Sequence, residues 1–435
     1  MFIKEYKLRQ HSIMIHFQAG HEENGLNVCL RASEVKPKFD RFLVKKLGGR
    51  EKVLSEYGQW VRAKNDNKVD LSLNYRMTIK CSSKKITKYT SGRNEEFKLP
   101  DMYYGNMNQK KADWTDDTMR YGVFFNDGLI VRIICFDDSL EEEIDKYIAA
   151  FFVVTNFGTM QDKGFGSFTI ENAQIHICDT LSENFDIGTC YVVETKQEGY
   201  SSRAQNELFD TIKQIYSVMK SGQNFVGRDG RTITNKYIRS FIYQYMHETH
   251  HLGNEKAWLK KQEIAPIRTT HEPQDTHEHH QQKDLQEFRY VRALLGIGKQ
   301  LEWIESEDEQ SEDEQRSDRP RREKITIEDT TKTDAIERYA SPVFFKIIGN
   351  RIYITANQPD RRIFDREFQF TNQGYTKEKN NKSPRKGLSD YISTLTAAEG
   401  SEFDMADFLN KFMVYYNNNL DKGKLRKRYR MEAGR

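Results

Sequence analysis

At 435 residues the chain is long enough for two or three domains, each burying a core of its own. Its 37% hydrophobic, 31% charged and 12% aromatic content describes a folded protein with a highly charged surface, and nothing approaches eighteen consecutive apolar residues, which excludes a membrane-spanning helix. The net charge of +3 says little about partners, but local asymmetry is large: residues 31–50 hold seven Lys/Arg against two acids, and 302–315 hold eight acids and no Lys or Arg. Five widely spaced cysteines (Cys29, Cys81, Cys135, Cys178 and Cys190) without a C-x-x-C pair argue against a zinc ribbon or a disulfide framework and for reduced thiols. With no apolar leader after Met1, a cytoplasmic chain that needs no membrane, metal or cofactor is the expectation.

The first strand is expected over residues 5–17, ending in Ile13-Met14-Ile15-His16-Phe17. Ser33 then opens a helix whose Val35, Phe39, Phe42 and Leu43 share one face, and Gly48-Gly49 ends it. Lys36, Lys38, Arg41, Lys45 and Lys46 lie opposite, with Pro37 tolerable near the first turn. Strands are expected at 69–73 and 77–81, followed by a loop-rich stretch at 91–121. Asn126-Asp127-Gly128 predicts a hairpin joining 123–125 to 129–136. Ser139 and Glu142 form a capping box for a helix that places Leu140, Ile144, Tyr147, Ile148, Phe151 and Phe152 on one face.

After that helix comes Lys163-Gly164-Phe165-Gly166-Ser167-Phe168, leading into a strand at 168–170. Two glycines allow positive φ and close approach of a ligand; Lys163 offers a cation, Ser167 a hydroxyl, and Phe165 and Phe168 faces for a stacked base. The alternative is a tight turn whose phenylalanines are core. The order strand, helix, strands, helix, glycine loop, strand is a split βαβ pattern.

The second half opens with a strand at 191–195 and a helix carrying Leu208, Phe209, Ile212, Ile215, Tyr216 and Met219 at helical spacing. A glycine-rich basic loop at 221–236 includes Arg228 and Arg231. Helical stretches are expected at 235–247 and 284–295, separated by a polar tract with His271, His277, His279 and His280 that lacks the companion ligands of a metal site. The tandem Ser-Glu-Asp-Glu-Gln repeat at 306–315, then Arg316, Arg319, Arg321 and Arg322, reads as a disordered charged insertion. Strands at 341–348 and 351–356 flank Gly349-Asn350, a helix covers 403–416, and Lys422–Arg430 reads as a basic, disordered tail.

The expected fold is α+β: two ferredoxin-like (RRM-like) domains, 1–180 with an insert at 50–120, and 185–435 with inserts at 222–283 and 303–335. Three stretches, Leu30-Arg31-Ala32-Ser33-Glu34, Gly164 through Phe168, and Arg338-Tyr339-Ala340-Ser341-Pro342 after Leu294-Leu295-Gly296, resemble the RAMP superfamily of CRISPR-associated proteins. The last is similar to the Cmr-type subunit at the 3′ end of the guide RNA in type III-B effector complexes. The helix at 36–42 departs from the Trp- and Arg-rich opening helix of that subunit. The resemblance implies a guide- or target-RNA-binding subunit of a multisubunit antiviral interference complex. It places RNA contacts on Arg31, Ser33, Lys163, Gly164, Phe165, Gly166, Ser167, Phe168, Arg338 and Ser341; Lys36 of the basic helix and Arg228 and Arg231 of the basic loop are further candidate contacts read from charge. The enzymatic alternative is a guide-processing ribonuclease with His11 or His16 as general base, and a third reading is a protein-interaction scaffold.

Overall fold

The computed structural model describes residues 2–15, 30–62, 71–80, 86–89, 122–226, 232–265, 287–304, 322–331, 334–375 and 383–434. His16, Arg228, Arg231, the His-rich tract 271–280 and the charged block 305–321 lie outside these residues. The chain is mixed α+β and divides into two compact units: Met1–Ile212 with Phe344–Thr355 and Met431–Arg435, and Lys213–Val343 with Ala356–Arg430.

In the first unit, strand β1 (Phe2–Gln10), helix α1 (Ala32–Lys46), strands β2 (Tyr75–Lys80) and β3 (Leu129–Cys135), helix α2 (Asp138–Val154) and strand β4 (Phe168–Ile170) follow one another. They build an antiparallel sheet in the order β2-β3-β1-β4, the ferredoxin-like arrangement. Alternate residues of β1 and β3 (Tyr6, Leu8, Leu129, Val131, Ile133) meet Val35, Phe39 and Leu43 of α1 and Ile144, Ile148 and Phe151 of α2 in one core. The pattern then recurs along the chain: β5 (Tyr191–Glu194), α3 (Ser202–Lys220), β6 (Val343–Ile348), β7 (Arg351–Ala356), α4 (Met405–Asp421) and β8 (Met431–Ala433), with strand order β6-β7-β5-β8. The second unit holds a different sheet, four antiparallel strands in the order Gln300–Ile304, Arg322–Asp329, Glu367–Tyr375 and Ser389–Ser393.

Several local expectations are corrected. Asn126-Asp127-Gly128 does turn the chain, with Gly128 at φ 75° and its N–H on Phe125 O at 3.0 Å. The strands it joins nevertheless belong to different sheets: Gly122–Phe125 pairs with Met14–Ile15 and Ile86–Tyr89, whereas β3 pairs with β1 and β2. Gln10 fills the corner between them, its amide donating to Ser12 O and Val123 O and accepting from Phe125 N–H. Helix α2 is capped by Asp137, which accepts from Leu140 N–H, rather than by Ser139. Pro37 is the sixth residue of α1; the Ser33 carbonyl, lacking that helical donor, lies at an exposed position where water can serve it. The expected helix at 235–247 starts at Phe241 after a strand, Thr232–Ile238, and among the described residues of 284–295 only Val291–Leu295 is helical, as a 3₁₀ turn. Arg322 begins a strand instead of ending a linker. The tail is anchored: Leu425 is buried and β8 closes the sheet edge beside β5. Cys178 and Cys190, free thiols twelve residues apart, lie in contact with Sγ atoms 3.2 Å apart.

Candidate functional site

The glycine loop is a junction within the first unit. Asn156 and Ser167 form an antiparallel bridge, closing the loop, and Phe157 N–H donates to Gly166 O. Gly166 (φ 66°) could not carry a side chain, because a Cβ would lie 1.9 Å from the Phe157 carbonyl oxygen. Gly164 (φ 84°) sits against Ile347 and Ile212, where a Cβ would meet carbon at 3.1–3.2 Å. The N–H groups of Lys163, Gly164, Gly166 and Ser167 all donate inward, to Met160 O, Gln161 O, Ile13 O and Ser12 Oγ. Ser12 Oγ donates to Gly164 O, and Ser167 Oγ to Ile347 O at 2.5 Å.

This geometry decides between a stacking surface and a core turn for the phenylalanines. Phe165 and Phe168 are fully buried; Phe165 stacks on Phe209 with ring centroids 4.0 Å apart, and Phe168 meets Phe157 edge-on. Neither ring offers a base a face, so the stacking expectation gives way to core packing. Lys163 is 7% exposed and its Nζ lies 2.8 Å from Asp162 Oδ2.

Helix α1 reaches the same loop. Gly158 N–H donates to Glu34 Oε1, and Lys38 Nζ bridges Glu34 and Gln161. Arg31, half-buried, is the N-cap residue without a side-chain cap, and Ser33 is exposed. Lys36 turns inward, bonding Asp40 at 2.7 Å and Leu73 O at 3.0 Å, with its ammonium 4.1 Å from the Tyr75 ring centre. Burial pushes the Asp40 carboxyl up and the Lys36 ammonium down, and each partly offsets the shift of the other.

His11 is buried, with Nδ1 accepting from Gly349 N–H at 3.1 Å and Nε2 2.8 Å from Thr169 Oγ1. The Gly349 donor requires an unprotonated Nδ1, which assigns the proton to Nε2. Burial, reinforced by Lys346 and Arg9, lowers its pKa to about 3. In the second unit, Tyr339 O accepts from Ile297 N–H, bringing Gly296 beside Ser341, while Arg338 is exposed. Among the described residues no group of His, Cys, Asp and Glu is placed to hold a metal ion, and no helix is long and apolar enough to cross a membrane.

Comparison with known families completes the picture. The family model of the Cmr1 N-terminal domain matches residues 1–223, and that of the Cmr1 C-terminal domain matches 237–432. The chain belongs to the Cmr1 family. A Cmr1-family chain is a CRISPR-associated RAMP subunit of a type III-B Cmr effector complex. No curated protein matches the chain.

In this Cmr1-family chain the sheet face opposite α1 and α2 also carries charge that motif reading missed. Lys7, Arg9, Arg76 and Lys80 are exposed and Arg132 half-buried there, with Glu5, Ile3, Ile130 and Ile134 among them. Lys7 and Arg9 reach Glu171 and Glu198 at 2.7 and 3.9 Å, pairs exposed enough to be weak. Alternation in Tyr6-Lys7-Leu8-Arg9 was the available signal; which strands would lie beside it was not local information.

Proposed function

We propose that the chain binds single-stranded guide or target RNA within the Cmr complex, through backbone contacts that do not read sequence. The observation that carries this reading is the match of both Cmr1 domains, which together span nearly the whole chain. The cationic sheet face and the uncapped start of α1 support it, since phosphates need cations and a helix N-terminus favours an anion. Arg31, Ser33, Arg338 and Ser341 are the contacts proposed. Lys163 through Phe168 act from beneath, tying the sheet to Ser12, Ile13 and Ile347, because their amides, rings and charge are used inside the protein.

A ribonuclease would need a base free to accept a 2′-hydroxyl proton. Nδ1 of His11 already accepts from Gly349 and Nε2 faces Thr169. The test is binding of labelled single-stranded RNA of two unrelated sequences by the full chain across a salt series. Comparable affinities and a negative log–log salt slope support the reading; no binding by the chain, and no RNA crosslinked to it in the assembled complex, overturns it.

A further inference from the structure

We propose that Lys422–Arg430 is a phosphate-binding strap that holds a single-stranded RNA backbone. The inference rests on the reading that the chain binds RNA. Helix α4 ends in a turn, with Gly423 at φ 68° and Lys424 N–H on Asn419 O at 2.9 Å. Leu425 is then buried, and the Gln214 side chain grips the backbone of Lys427, accepting from its N–H at 2.8 Å and donating to its carbonyl at 2.9 Å. The chain next enters β8. Backbone position is therefore set before, within and after the segment.

Burial alternates along it. Leu425 points inward and Lys427 is half-buried, which leaves Lys422, Lys424, Arg426, Arg428 and Arg430 exposed. Arg430 meets Asp421 at 2.5 Å; Lys422, Lys424, Arg426 and Arg428 have no carboxylate partner among the described residues. A connection between a helix and a strand needs anchoring, but it does not need a row of exposed cations whose mutual repulsion opposes folding. A polyanion relieves that repulsion, and guanidinium groups fit phosphate oxygens in pairs.

An acidic protein is the poorer fit. Protein interfaces are built on aromatic anchors and are depleted in lysine, and none of the exposed large hydrophobic side chains falls in this segment. Arginine and lysine on an ordered backbone with no exposed large apolar side chain among them match a sequence-independent phosphate contact.

The experiment compares the full wild-type chain with Lys422→Gln/Lys424→Gln/Arg426→Gln/Arg428→Gln, using two unrelated labelled single-stranded RNAs across a salt series. The variant is expected to lose about tenfold or more in affinity for both RNAs and to show a salt slope shallower by about two to three units, at roughly 0.7 per phosphate. Its melting temperature should stay close to wild type, because the substituted groups are exposed. If the combined variant melts early, Lys424→Gln and Arg428→Gln singly must each reduce the slope by about 0.7. Unchanged slopes while wild type binds RNA overturn the strap and leave the RNA-binding reading standing. Absence of RNA binding by wild type overturns both. A variant that binds RNA normally but drops out of the assembled complex overturns the strap in favour of an acidic protein partner.

Discussion

Lys346 Nζ lies 2.6 Å from the carbonyl oxygen of Phe152, in the last turn of α2. The same ammonium reaches Thr155 O, Asn156 Oδ1 and Phe168 O at 3.0–3.2 Å. A strand of the second βαββαβ pattern thus supplies the donor that the helix end of the first one lacks, where a cation also suits the helix dipole. The residue is wholly buried, and desolvation holds its pKa well below the ordinary lysine value.

Lys346→Met should therefore destabilise the chain by about 2–4 kcal/mol in urea unfolding, because four oxygens lose a buried donor. The sign of the pH effect follows from the lowered folded pKa. Between that value and the ordinary one the unfolded chain binds the extra proton, so wild-type stability rises with pH there. The gap between wild type and Lys346→Met should widen as pH rises across that window.

His11 provides a second pH test. Its folded pKa of about 3 lies below the ordinary histidine value of 6.5, so the unfolded chain takes up a proton first on acidification. Protonation of Nδ1 would also set two donors, the ring and Gly349 N–H, against each other. Stability should be fully present above about pH 6.5 and fall as pH drops toward 3. His11→Asn, whose amide oxygen can replace Nδ1 as acceptor, should flatten that fall in thermal melts, and neither protein should cleave labelled RNA.

Gly166→Ala should cost about 3 kcal/mol or more, since it adds both a positive-φ side chain and a clash with fixed backbone. Gly164→Ala should cost less, because the atoms it meets are the movable ends of Ile347 and Ile212. Equal melting temperatures for the two variants would contradict this ordering.

In the second unit, Glu323 is fully buried and accepts from Asn372 Nδ2 at 2.7 Å, Arg385 Nε at 3.0 Å and Ser383 Oγ. Glu323→Ala should destabilise by about 3 kcal/mol by stranding those donors. Replacing 305–321 with a short glycine-containing turn should change the melting temperature little, because Ile304 and Arg322 are already register partners.

Arg31→Ala should weaken single-stranded RNA binding on unrelated sequences and reduce the salt slope by roughly 0.7. Lys163→Ala should leave that slope unchanged while lowering stability by about 1–2 kcal/mol, because its partner is Asp162. A slope change in Lys163→Ala alone would return the glycine loop to direct phosphate contact.

The sequence by itself determined the elements whose apolar spacing is strong: α1, α2, α3, β3 and the strands around Gly349-Asn350, and with them the α+β class. It also marked the glycine loop, because only glycine tolerates the backbone at 164 and 166. What the loop does was decided by tertiary structure. Phe165 reads alike as a stacking platform or as core until Phe209, forty-four residues on, covers its ring. The same limit explains the turn at Asn126-Asp127-Gly128: local chemistry bends the chain, but pairing partners far along it place the two strands in different sheets. Lys346, Glu323 and the tail at 422–430 carry charges that read as surface or disorder. Their partners lie about fifty to more than two hundred residues away in the chain, and no local pattern encodes a contact of that range.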